Sequence, residues 1–163
     1  MSKQSTYISP NFAFEELYKS DTAKALGIDN TPNATIAKRL EDVVINVLQP
    51  LRDLWGQPII ISSGYRCNAL NAAVGGSASS QHMLGEAVDI RTKSDTRDGN
   101  MALLKCFLRS GIPYDQTIAE NVDSKGRPDW IHISFTTRRA NRHKRTTMRK
   151  VNGKVTYFNG ISV

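Results

Sequence analysis

The chain has 163 residues and a mass of 18.1 kDa, enough for one domain to bury roughly two thirds of its unfolded surface without a disulfide or a second copy. With 39% hydrophobic and 23% charged residues and no apolar run near the ~20 residues of a membrane span, the membrane, collagen and coiled-coil classes are excluded. Lys and Arg number 22 against 15 Asp and Glu, but Arg138, Arg139, Arg142, Lys144, Arg145, Arg149 and Lys150 fall within residues 138–150, where there is no acid, so the +7 net charge is a local feature.

Residues 1–7 contain no apolar stretch and no small-residue cleavage site, so no secretory signal is expected and the chain is read as made and first held in the cytoplasm. From Asn11 to Gly27, Phe12, Phe14, Leu17 and Tyr18 suggest a helical lead-in, with Ser20 capping a second short helix that ends at Gly27. From Ile36 to Trp55, Leu40, Val43, Val44, Val47, Leu48, Leu51 and Leu54 recur every three or four positions, which predicts the longest helix. Pro50 has no N–H to give, so a kink or break is expected near Leu48 to Pro50.

Residues 58–63, β-branched and followed by Gly64, predict a buried strand. Residues 68–74 predict a helical turn, 75–80 a small-residue loop, and 87–90 a second strand. A helix from about Thr96 to Ser110 follows, then strands over 114–120 and 130–135. Asn152-Gly153 between short apolar segments is a hairpin-turn signal. The chain therefore predicts a single α+β domain over residues 1–163, with N-terminal helices packed on a mostly antiparallel sheet. Cys67 and Cys106 lack C-x-x-C spacing and are expected to be reduced.

The chemistry concentrates on two of these strands. In Ala87-Val88-Asp89-Ile90, alternation sends Val88 and Ile90 to one face and Asp89 to the other. In Trp130-Ile131-His132-Ile133-Ser134-Phe135, the isoleucines and Phe135 face the core and His132 faces away with Trp130 and Ser134. His82, separated from Asp89 by Gly85, has the slack to fold back beside it. Singly, each has a plainer reading: Asp89 paired to an arginine, His132 a satisfied core histidine, His82 a loop residue. Together, two imidazoles and one carboxylate among small neighbours suit a catalytic zinc with one open position.

These residues resemble a known family. Ser80-Gln81-His82-Met83-Leu84-Gly85-Glu86-Ala87-Val88-Asp89 is similar to the S-x-H-x-x-G-x-A-x-D signature of the zinc D-alanyl-D-alanine carboxypeptidase family of metallopeptidases, which includes phage endolysins. Asp129-Trp130-Ile131-His132 resembles its second motif. Phe14-Glu15-Glu16-Leu17, residues 27–32 and Ser62-Ser63-Gly64-Tyr65-Arg66 extend the likeness over nearly the whole chain.

The resemblance implies Zn²⁺ held by His82, Asp89 and His132, with Asp129 as general base. Residues three apart on a regular strand face opposite ways, so Asp129 must lie off the strand, and Pro128 before it suggests a loop. Arg66 is implied to bind and polarise substrate, and Ser80 to lie close to it, a capping hydroxyl being an equal reading of Ser80. Gln116 and Glu120 match a strand of the family and are expected to be structural. His143, flanked by cations, is excluded as a ligand, and no histidine is left to serve Cys67 as a base.

The implied function is hydrolysis of peptidoglycan stem peptides, as a D,D-carboxypeptidase or an endopeptidase, by a monomer acting on the wall after release or as a virion component. Residues 138–150 would then lie on the surface near one end of the cleft and attract an anionic wall polymer. Two other classes remain open: a non-catalytic wall-binding module, and a nucleic-acid-binding protein using the same basic segment, against which the lack of interleaved aromatics counts.

Overall fold

The computed structural model describes residues 6–163, so most of the amino-terminal stretch read for a signal lies outside the described residues. The chain opens with two short antiparallel strands, β1 (Tyr7–Ser9) and β2 (Phe12–Ala13), and a 3-10 turn over Phe14–Leu17. This corrects the expected helical lead-in: Phe12 and Leu17 are buried in the core, and Glu16 turns back to accept the Ala13 N–H. Helix α1 (Asp21–Leu26) begins where Ser20 accepts the Ala23 N–H and ends at Gly27 in the left-handed conformation, as its cap residues predict.

Helix α2 (Ala34–Val43) is capped by Asn33 and runs through a π turn (Val44–Leu48) into α3 (Gln49–Trp55). The chain thus stays helical through Pro50, and the irregularity expected near Leu48 to Pro50 takes the form of the π turn just before it. A widened turn in which Gln49 N–H reaches the Val44 carbonyl precedes the proline, absorbing the ring and the missing donor. It also keeps Val43, Val44, Val47, Leu48 and Leu51 all fully buried on one side.

The main sheet has strands β3 (Ile59–Ser63), β4 (Ala87–Thr92), β5 (Gln116–Glu120), β6 (Trp130–Ser134), β7 (Lys144–Val151) and β8 (Lys154–Asn159) in the order β3-β4-β6-β5-β7-β8. All neighbours are antiparallel except β5 and β7, which run parallel, so the sheet is mixed. Between β3 and β4 lie α4 (Asn68–Ala73) and a 3-10 turn over Gln81–Leu84. Helix α5 (Arg97–Arg109), capped by Thr96, follows β4. Asn152 and Gly153 both take positive φ, 49° and 77°, the geometry of a tight β7–β8 hairpin.

One face of the sheet packs Val88, Ile90, Ala119, Ile131 and Ile133 against α2, α3 and α5. The alternation of side chains then leaves Asp89, His132, Ile118 and Glu120 on the other face. Both cysteines are free thiols. No described helix is long and apolar enough to cross a membrane.

Candidate metal centre and active site

In the β4–β6 register Asp89 stands directly opposite His132. The 3-10 turn before β4 brings in the third group: Ser80 accepts the His82 N–H, and Gly85 in the left-handed conformation ends the turn. Donor atoms of His82, Asp89 and His132 all lie within 4.8 Å of one another. His82 Nε2 is 3.3 Å and His132 Nδ1 3.2 Å from Asp89 Oδ1. A tetrahedral ion with bonds of roughly 2.0–2.1 Å spaces its ligand atoms by about 3.3 Å, so each imidazole donor already stands from Asp89 Oδ1 at the separation zinc requires. Burial pushes the Asp89 carboxyl up, but the two imidazoles outweigh it and hold it below the ordinary carboxylate range.

His82 Nδ1 lies 2.7 Å from the Gly64 carbonyl. A carbonyl only accepts, so Nδ1 carries the proton and Nε2 keeps its lone pair for a metal. Gly64 is required by a close approach: a Cβ there would stand 2.1 Å from the Leu17 carbonyl oxygen, whose own role is to accept the Tyr65 N–H. Gly64→Ala is expected to lose about 1–3 kcal/mol of stability. Moving the Gly64 carbonyl off His82 should also weaken zinc binding by roughly 10–100-fold. Thermal unfolding and competition with a chelator measure the two, and a variant equal to the parent in both would contradict the account.

Arg66 is tied to the same turn. Its backbone N–H donates to the His82 carbonyl, and its guanidinium donates to Asn71 Oδ1 (3.2 Å), Ser63 Oγ (3.1 Å) and Ser80 Oγ (3.4 Å). Burial lowers the Arg66 pKa and the Asp89 charge opposes that, which places the guanidinium within electrostatic reach of the triad. A cavity of about 550 Å³ includes Arg66, Ser63 and Gly64 in its wall. Ser80 caps the turn, one of its two readings from the sequence, and also touches Arg66.

Asp129 lies just before β6, off the strand as expected. Its Oδ2 accepts from Asn121 Nδ2 (3.3 Å), and its carboxylate stands 3.8 Å from Arg91 and 4.0 Å from Arg97. The Gln116 side chain donates to Thr146 Oγ1. Glu120, expected to be structural too, lies on the same face of the sheet as His132: burial raises its pKa to about 7, with the charges of His132 and Asp89 acting on it in opposite directions. Tyr157 on β8 feels Glu120 and Asp89 as well, after burial, and all three raise its pKa. Alternation along 116–120 was the available signal for Glu120; nothing local marked Tyr157.

Three of the seven cations of the basic segment are engaged with buried acids. Arg138 pairs with buried Glu86, whose other oxygen accepts from Thr136. Arg139 and Arg142 both pair with buried Asp115. Burial disfavours the Asp115 charge, and hydrogen bonds from Arg139, Arg142 and Gln81 more than offset it, holding the carboxyl far below its usual range. Arg145 donates to the Tyr114 hydroxyl and Arg149 lies over the Phe158 ring. Gln81 immediately precedes His82 and Glu86 follows Gly85, so these arginines brace both ends of the ligand-bearing turn. His143 packs its ring edge-on against Tyr114, away from the triad.

A family model described as Peptidase M15 matches residues 10–134. The chain belongs to the peptidase M15 family. It is thereby an enzyme of a zinc metallopeptidase family, with His82, Asp89 and His132 as its candidate metal-binding triad. The M15 match contains the whole triad and Arg66, and ends at Ser134. The bracing arginines and the β7–β8 hairpin that carries Tyr157 lie beyond it. A search of curated proteins found no match to the chain.

Proposed function

We propose that this M15 protein is a zinc-dependent peptidase that hydrolyses the stem peptides of peptidoglycan. The observation that carries the reading is the convergence of His82, Asp89 and His132 at zinc spacing on the face of the sheet opposite the core. When bound there, zinc would polarise a scissile carbonyl and acidify a water molecule.

The chain's own groups supply the rest. Arg66, held from three sides, presents its free N–H groups in a fixed fork to a peptide carbonyl or terminal carboxylate. As the carbonyl oxygen gains charge, a guanidinium already in position stabilises it without reorganising. Ser80 sets the angle of that guanidinium and offers its hydroxyl to the same substrate region. A carboxylate must take a proton from the attacking water, and Asp129 and Glu120 are two acids placed at the start of the strand that carries His132.

Digestion of purified peptidoglycan by the zinc-loaded protein, read by mass spectrometry, tests the reading. Release of terminal D-alanine identifies a D,D-carboxypeptidase, and opening of cross-links an endopeptidase. Unchanged fragments with stoichiometric zinc bound would overturn the choice of substrate.

A further inference from the structure

We propose that Asn121 and Arg97 are positioning residues that fix the direction of the Asp129 carboxylate, an inference that rests on the peptidase reading above with Asp129 as the proton acceptor. Asp129 ends the loop between β5 and β6, and its backbone is secured on both sides. Its N–H donates to the Glu120 carbonyl, which continues the β5–β6 ladder. Its carbonyl accepts from Asn100 Nδ2 (2.8 Å) in the first turn of α5. Asn100 is itself buried, and its Oδ1 accepts the Thr92 N–H at the end of β4. This anchoring fixes the main chain but leaves the Asp129 side chain a choice of rotamers unless another group holds it.

Asn121 is that group. It follows β5 directly with φ at 50°, a left-handed conformation that asparagine tolerates better than most residues. The chain turns out of the strand there, and Asn121 Nδ2 donates to Asp129 Oδ2 across the neck of the loop (3.3 Å). Among the described residues the Asn121 side chain makes no other hydrogen bond, so its amide ties down no backbone and acts on the carboxylate alone.

Arg97 holds Asn121 in turn. Its Nη1 donates to the carbonyls of Asn121 (2.7 Å) and Arg127 (2.8 Å), one on each limb of the loop, and its Nη2 stands 4.0 Å from Asp129 Oδ2. Arg91 approaches the other oxygen, Oδ1, at 3.8 Å. The two carboxylate oxygens therefore have different partners, which sets the plane of the group. The tip of the loop needs neither residue: Arg127 pairs with Asp123 beside it and with Asp98 on α5. An acid held in one orientation meets the attacking water without a search, and a displacement of about 1 Å costs up to roughly 10²-fold in rate.

Asn121→Gly removes the amide and keeps the backbone, because glycine takes a positive φ at no steric cost. Arg91 and Arg97 remain beside the carboxylate, so kcat on a soluble stem peptide should fall by about 10-fold. KM, and zinc affinity by chelator competition, should stay within about twofold of the parent's, since only the transition state loses an interaction. Arg97→Gln should lower kcat by a similar factor. In an Asp129→Ala background, slowed by about 10² or more, either substitution should change kcat by less than about twofold, because its target is gone. Parental kcat in Asn121→Gly while Asp129→Ala is slow overturns the inference alone, as does an equal loss in both backgrounds or a zinc affinity lowered in step with kcat. Parental kcat in Asp129→Ala removes Asp129 as the proton acceptor, and a zinc-loaded parent that cuts no peptide overturns the peptidase reading; either result takes the inference with it.

Discussion

His82→Ala should fold and lose its zinc. Its imidazole supplies one of three donors, and no described His, Cys, Asp or Glu outside the triad completes a second set of this kind. Losing an outer hydrogen-bond partner of a zinc ligand typically costs 10–100-fold in affinity, so losing the ligand itself should cost more than about 10²-fold. Hydrolysis should fall to background because the remaining donors, Asp89 and His132, leave two positions open and fix no geometry. Asp89→Asn and His132→Ala should behave alike, since each contact to Asp89 Oδ1 is equally short. Elemental analysis after dialysis against buffered zinc gives the answer. A His82→Ala protein that keeps one equivalent of metal would remove His82 from the centre.

Arg139→Gln combined with Arg142→Gln should destabilise the fold and loosen the metal site together. Asp115 is fully buried, and the double substitution leaves it only the Gln81 side chain and the Arg142 backbone N–H. Stranding a buried charge costs about 3–5 kcal/mol. The two guanidiniums are 43% and 50% exposed, so solvent screens the pairs and the lower end, about 3 kcal/mol, is expected. The pH dependence has a definite sign. A folded pKa held below the unfolded value of about 3.9 contributes stability above that pH and loses it as the pH falls towards the folded value. The cost of the double substitution should therefore be largest near neutrality and shrink below about pH 4, where a buried Asp115 takes up its proton. Urea unfolding at pH 7 and pH 3.5 checks both. Gln81 links Asp115 to the His82 turn, so zinc affinity should drop as well. Glutamine at Arg142, Lys144 and Arg145 together should likewise lower activity on walls and on soluble peptide in parallel, because two of these side chains carry internal contacts. A loss confined to walls would restore the view of a wall anchor.

The local chemistry of the site was legible in the sequence because it depends on short-range rules. Alternation placed Asp89 and His132 off the core, and motif spacing brought in His82. Ser20, Asn33 and Thr96 capped helices as their side chains dictate. What escaped the sequence was long-range pairing. Nothing near Arg139 or Arg142 reveals that Asp115, at least 24 residues away, waits for them, so the cluster read only as a surface contact for a polyanion. The π turn escaped because a proline in a periodic helix predicts a fault and not the form it takes. Glu120 was visible as an acid at an alternating strand position, but only the full sheet shows that its neighbours leave it without a cation.

The most direct test of the account is diffraction from crystals of the zinc-loaded protein at the zinc absorption edge. The account predicts one anomalous peak per chain, between His82 Nε2, Asp89 Oδ1 and His132 Nδ1, at roughly 2.0–2.2 Å from each. A peak elsewhere, or none at this triad in protein that has bound zinc, would contradict it.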